Sequence, residues 1–288
     1  MKNDNIPYVT SEYGILEKVI LHRPEYLTIK KPINAIAAEN IGSGRDVNIE
    51  KACKEFDEQY VEAFKSYGVE VILVEPDPTL IFAVNTRDLG VSTPKGIFFG
   101  RFVFPSRWGE HQLTEKTLQK HKIPIYYKLN RGTFEGGDFM YVDEKTVFVG
   151  IGCRTNKLGV KALKLELHEL GIDIIPVDFD EKYLHLDMIC NIIGEKVAVV
   201  CPDAIPDHAL KLLKNKNFEL IEVSKEDVFK DACNLVSIGN ETVFSHPNTV
   251  KVNQKLKSLG FNVEVLDIRE IMLCGGGPRC ISFPVLRS

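Results

Sequence analysis

No sign of charge dominates this sequence: 36 Lys and Arg are mixed evenly with 40 Asp and Glu, for a formal charge of -4. There is no basic stripe or polybasic tail to neutralise phosphates, which argues against nucleic acid as a partner and leaves the field compatible with a cationic substrate. No apolar run approaches the roughly 18 residues of a membrane span. The opening from Met1 to Tyr8 is polar and leads into no apolar h-region. Neither a membrane partner nor a secretory signal is therefore expected. The seven cysteines, Cys53, Cys153, Cys190, Cys201, Cys233, Cys274 and Cys280, include no close CxxC pair. Such scatter fits reduced thiols in a cytoplasmic protein better than a disulfide framework. No GxGxxG follows the first strand-like run, which disfavours a dinucleotide-binding fold.

What the sequence has is a repeat. Apolar strand-like runs recur as Val19 to Leu21, Ile97 to Phe99, Val147 to Val149, Val197 to Val200 and Thr242 to Phe244. Each leads into a helix-like stretch and then a second apolar run: Val69 to Val74, Ile123 to Tyr127, Ile172 to Val177, Phe218 to Val223 and Phe261 to Leu266. Gly68, Gly171 and Gly260 stand just before three of these second runs, where glycine suits a helix C-terminus. In the third unit Val160, Leu163, Leu167 and Leu170 fall at helical spacing. Five strand, helix, strand units are legible in a chain of 288 residues, with 44% hydrophobic content to build a core, and a single domain over 1–288 is expected. Periodicity alone permits a line, a closed ring or a doubly wound sheet.

Four segments could carry chemistry. The first runs from Cys274 through Gly275, Gly276 and Gly277 to Cys280, where glycines let a ligand approach the backbone closely. A lone Cys is usually a small buried hydrophobe, and Cys53, Cys190, Cys201 and Cys233 are read that way. Cys280, after the glycines and before an apolar run, is the nucleophile candidate. The second is Glu135-Gly136-Gly137-Asp138; a Gly-Gly bend between acids is often a solvated turn. Alternatively it aims Glu135 into a cavity while Asp138 fixes the turn, and a carboxylate so placed would pair with a planar cation. The third is His185-Leu186-Asp187, whose spacing would place both side chains on one face of a strand, the acid raising the basicity of the imidazole. The fourth is Asn85-Thr86-Arg87-Asp88, otherwise a plain turn. Cysteine with histidine also raises a metal site, but no pair has ligand-like spacing, so no metal and no cofactor are expected.

In this order the four segments resemble the guanidino-group modifying enzymes of the pentein superfamily, which includes arginine deiminase, dimethylarginine dimethylaminohydrolase and the amidinotransferases. The opening Ser11 to Pro24 is similar to that family's first strand, so the resemblance runs nearly end to end. It implies an α/β pentein propeller of five pseudosymmetric strand-helix-strand repeats, and a small-molecule guanidino substrate. By the resemblance, Cys280 is the nucleophile and His185 the acid/base. Asp88, Glu135 and Asp187 would cradle the guanidinium, and the intermediate would be a covalent thiouronium. Arg154 and Arg107 become candidates for a substrate carboxylate, although either could be an ordinary surface ion pair. Asn85 stands where arginine deiminases carry an aromatic residue. Asp187 favours an unmethylated guanidinium edge, since bulky N-methyl groups would meet a buried charge. Hydrolysis of dimethylarginine, which the compact size of the chain favours, and amidinotransfer to an acceptor amine are the alternatives. A non-enzymatic pentein binding module is disfavoured because the catalytic set is present. Assembly as a homo-oligomer stays open.

Overall fold

The computed structural model describes residues 9–288, so the polar opening 1–8 lies outside the described residues. The described strands form five separate sheets of three. β1 (Leu16–His22) pairs with β2 (Glu70–Val74), and β3 (Gly90–Thr93), β4 (Gly96–Phe99) and β5 (Ile125–Lys128) make the second sheet. The third holds β6 (Phe139–Asp143), β7 (Thr146–Ile151) and β8 (Asp173–Asp178). The fourth holds β9 (Cys190–Gly194), β10 (Val197–Val200) and β11 (Glu219–Glu222); the fifth holds β12 (Val236–Gly239), β13 (Thr242–Ser245) and β14 (Asn262–Val265). The last strand, β15 (Phe283–Arg287), returns to complete the first sheet beside β1.

The first runs of the repeat are the middle strands, and each second run is the parallel partner reached through a helical crossover. The repeat unit is nevertheless longer than the sequence suggests. Each middle strand also pairs antiparallel with a third strand, which precedes it in the chain everywhere except the first sheet. These strands are four or five residues long, too short to show a period, and tight turns hide them. Asn240 and Glu241, at φ 50° and 55°, make one such turn between β12 and β13. The glycine punctuation behaves as expected, with Gly68, Gly171 and Gly260 at φ 77°, 70° and 91° directly after their helices. In the helix Lys157–His168, Asn156 caps the N-terminus by accepting from the amides of Leu158 and Gly159, and Val160, Leu163 and Leu167 are buried.

The five sheets close into a ring. β15 packs on β3, β3 on the turn before β6, β6 on β9, β9 on β12, and β12 on β1. This is the pentein α/β-propeller, and it excludes the linear and doubly wound alternatives. β3, β4 and β9 are buried along their whole length, which explains runs without polar alternation. Among the described residues no helix is long and apolar enough to cross a membrane.

Candidate active site

The site is built by the connections that carry the chain from an outer strand to the inner strand of the next sheet. The 3-10 turn Thr86–Leu89 brings Asp88 in ahead of β3, and Glu135 precedes the turn Gly136–Asp138 ahead of β6. His185 opens the turn Leu186–Met188 ahead of β9. Asp231 and Asn234 come ahead of β12, and Cys280 ahead of β15. Thus every sheet has one such loop at the centre. The loops touch, and glycine makes that feasible: a methyl on Gly136 would lie 2.1 Å from the Gly90 carbonyl oxygen, and one on Gly137 would lie 2.7 Å from the His185 ring.

The expected strand geometry around His185 is not what forms. His185 has an extended backbone but Asp187 already lies in a 3-10 turn, so the two do not share a strand face. The acids that meet the imidazole come from other loops. Nε2 lies 3.0 Å from Glu135 Oε2, and Nδ1 lies 3.7 Å from Asp88 Oδ1. Burial by itself would depress this imidazole, but Asp88, Glu135 and Asp138 outweigh it and lift its pKa to about 9. His185 is therefore protonated at neutral pH, and Nε2 donates to Glu135. Burial would raise the Glu135 carboxyl, yet His185, Arg107 and Arg154 hold it below the usual carboxylate range. Asp138 does not fix its own turn as expected. Its Oδ1 instead accepts from the Leu186 amide at 2.9 Å and positions the next loop.

Cys280 is buried with its sulfur 2.8 Å from Asn234 Nδ2 and 3.9 Å from Asp187 Oδ2. Burial, then the charges of Asp187 and Asp88, push the thiol well above its ordinary pKa, so the resting group is protonated. Asn234 also accepts from the amides of Gly277 and Cys280, at 3.0 and 3.1 Å, through Oδ1. One amide side chain thereby fixes both the glycine loop and the sulfur. The sequence reading missed it because Asp231-Ala232-Cys233-Asn234 has neither a glycine pair nor an acid/base pattern. The repeat was the available signal, since this segment enters β12 as Asp88 enters β3.

Cys280, His185, Asp187, Asp231 and Asn234 line one narrow pocket together with Gly275, Gly276 and the segment Asn34 to Ile36. Cys274 does not line it; burial raises that thiol to about 12, and its carbonyl accepts from Asn34. Three acceptors near the sulfur, Asp88 Oδ1, Asp187 Oδ1 and Asn85 Oδ1, are buried with no hydrogen-bond partner among the described residues.

The two candidate arginines differ. Arg107 is not a surface ion pair: it is 1% exposed, with Nη1 2.7 Å from Asp88 Oδ2, and Nε and Nη2 each 2.9 Å from Glu110. Its fork is thus spent on protein carboxylates, contrary to the expectation that it meets a substrate carboxylate. Arg154 is also buried, donating through Nη2 to the Ile33 carbonyl and stacking 4.6 Å from the Phe104 ring centre. Its Nη1 lies 3.5 Å from Glu135 and lacks a hydrogen-bond partner among the described residues. Asp88, Glu135 and His185 hold ligand-type atoms within 4.8 Å of one another, a set that sequence spacing did not reveal. Arg107 already places a cation beside both acids, so a metal ion there would meet a neighbouring positive charge.

A family model described as N,N dimethylarginine dimethylhydrolase, eukaryotic, matches residues 23–287. An uncharacterised protein of Bacillus subtilis, YkgA, is 36% identical over 278 residues, covering 96% of this chain and 94% of that one. The arginine deiminase of Mycobacterium marinum is 26% identical, over 75% of this chain and 62% of the deiminase. Among solved structures, the product-bound N-terminal domain of ArgZ, a cyanobacterial arginine dihydrolase, superposes with a TM-score of 0.82 at 20% identity, covering 94% and 97% of the two chains.

Proposed function

Since the chain belongs to the family of the N,N dimethylarginine dimethylhydrolases, we propose that it hydrolyses a carbon-nitrogen bond in the guanidinium group of arginine or a close arginine derivative. One observation carries this reading: buried, unsatisfied carboxylate oxygens of Asp88 and Asp187 stand near a buried thiol and a protonated imidazole. A guanidinium supplies what each lacks, being a planar cation with N–H donors for the acids and a positive charge that favours the thiolate.

In the proposed reaction the guanidinium enters beside Asp187 and Asp88, and its charge lowers the pKa of Cys280. The Cys280 thiol loses its proton to solvent, the resulting thiolate bonds to the central carbon, and the bond from that carbon to one terminal nitrogen breaks. His185 gives its proton to the departing ammonia or amine, leaving a thiouronium on the enzyme. The neutral imidazole then takes a proton from water, whose oxygen adds to the same carbon. Release of the sulfur yields a ureido product, and the proton of the added hydroxyl passes to the departing thiolate, restoring the resting thiol beside the imidazolium. Glu135 holds the imidazole in place throughout, and Arg154 is the candidate for a substrate carboxylate.

Asp187 supports an unmethylated guanidinium edge, because N-methyl groups would leave its buried Oδ1 without a donor. The family description supports the second reading, in which the departing group is methylamine or dimethylamine. A screen of purified protein with arginine, agmatine and methylated arginines decides between them, assaying ureido product, ammonia, methylamines and ornithine. Ureido product with ammonia from an unmethylated substrate is expected. Ornithine formed only when an acceptor amine is added would instead establish amidinotransfer, and no turnover of any guanidino compound would refute the reading.

A further inference from the structure

Behind the nucleophile lies a second, smaller cavity that the proposed reaction does not use. It is lined by Glu12, Arg87, Ser92, Gly136 and Arg287, among others, between the inner strands β3, β6 and β15. Its walls carry an unbalanced charge. Arg279, which adjoins it, is paired: Nη1 meets Glu12 at 2.5 Å and Nε lies 3.3 Å from Asp187. Arg87 and Arg287 have no carboxylate partner among the described residues, yet both are buried. Arg287 spends Nη1 and Nη2 on the carbonyls of Gly14 and Ser237 at 2.6 and 2.7 Å, which leaves Nε with no partner. Arg87 makes one long contact of 3.4 Å from Nε to the Arg279 carbonyl, and its Nη2 is unpartnered.

Two buried guanidinium groups with free N–H donors are costly, because the charges lose hydration and Glu12, the acid on the cavity wall that opposes both, is already paired with Arg279. Burial and repulsion by Arg279, against the attraction of Glu12 and Asp187, lower Arg87 to about 10, and burial, opposed by Glu12 and reinforced by Arg87 and Arg279, lowers Arg287 to about 9. Water would satisfy the hydrogen bonds but not the charge. An anion satisfies both, and the cavity is narrow enough to take about one water-sized occupant.

We propose that this cavity binds a small inorganic monoanion of chloride size, held by Arg87 Nη2 and Arg287 Nε, as a structural ion at the centre of the ring. The ion locks β15 and the turn carrying Asp88 to one another, since Arg287 belongs to the first and Arg87 to the second. It is separated from the reactive pocket by the Arg279 pairs with Glu12 and Asp187.

Two measurements on the full chain test this without reference to its substrate. Thermal unfolding is followed in halide-free buffer with sodium chloride or bromide added, against sodium gluconate at equal ionic strength. A saturable rise of several degrees is expected with the halides alone. Arg287→Gln should abolish that increment. Because this variant could fold poorly, crystals of the unaltered protein grown in sodium bromide provide the second measurement. An anomalous peak within hydrogen-bonding reach of Arg87 Nη2 and Arg287 Nε is expected. Equal unfolding temperatures in chloride and gluconate, or a cavity holding only water in bromide crystals, would overturn the proposal.

Discussion

At the residue scale, the two groups proposed to do the chemistry sit in the less reactive ionic arrangement. The thiol is the weaker acid, pushed up by burial and the charges of Asp187, Asp88 and Asp231, while His185 titrates near 9. The competent form needs a thiolate beside an imidazolium, so it is a minor species at pH 7. Its population grows with pH until His185 begins to lose its proton. We predict that kcat/KM rises about tenfold per pH unit between pH 6 and 8 and levels off near 9. A flat profile over that range would contradict the assignment. The same shift has a consequence for stability. The folded-state pKa of His185 is above its unfolded value, so its contribution is complete below about 6.5 and is lost as pH rises through about 9. Replacing His185 by Asn should therefore flatten the fall in unfolding temperature between pH 7 and 9. Most of these residues were legible: Cys280, His185, Glu135, Asp88 and Asp187 stand in segments with distinctive glycine or acid spacing. Their pairing was not, because the partners of His185 come from two other loops.

At the scale of elements, the loop from Gly275 to Cys280 depends on a neighbour that shows no chemical pattern in the sequence. Asn234 makes three hydrogen bonds to that loop, two to backbone amides and one to the sulfur. Asn234→Ala should lower stability by about 1–3 kcal/mol through the stranded amides. It should also reduce kcat more than it changes KM, since the thiol loses its fixed direction while the guanidinium acids remain. Unchanged kcat in a folded Asn234→Ala protein would show that the asparagine only fills space. The middle and outer strands were readable because each is a distinct apolar run bounded by a helix with a glycine after it. The inner strands were not, since four residues joined by a tight turn carry no period of their own. Arg107 was misread for a related reason: nothing local announces that its partners, Asp88 and Glu110, would be a loop away and a helical turn away.

At the scale of the whole molecule, the ring is closed by pairing of its first and last strands. β15 pairs with β1 and packs on β3, and it follows the nucleophile directly. Removing residues 283–288 leaves the first sheet without its inner strand and exposes the centre, so the truncated chain should lose the cooperative unfolding transition of the intact protein. A truncated chain that melts like the intact one, followed by circular dichroism, would rule out this closure. The fivefold repeat was legible in the sequence, whereas ring closure followed only from the family resemblance, because periodicity is the same for a line and a circle. The ring matters chemically because it collects one loop from every sheet around a single sulfur. The most direct test of that arrangement is mass spectrometry of acid-quenched turnover mixtures with a guanidino substrate. A substrate-derived adduct on the peptide containing Cys280, absent from Cys280→Ser and retained in Cys274→Ser, is the predicted result. An adduct on Cys274 instead, or turnover by Cys280→Ser, would contradict the account.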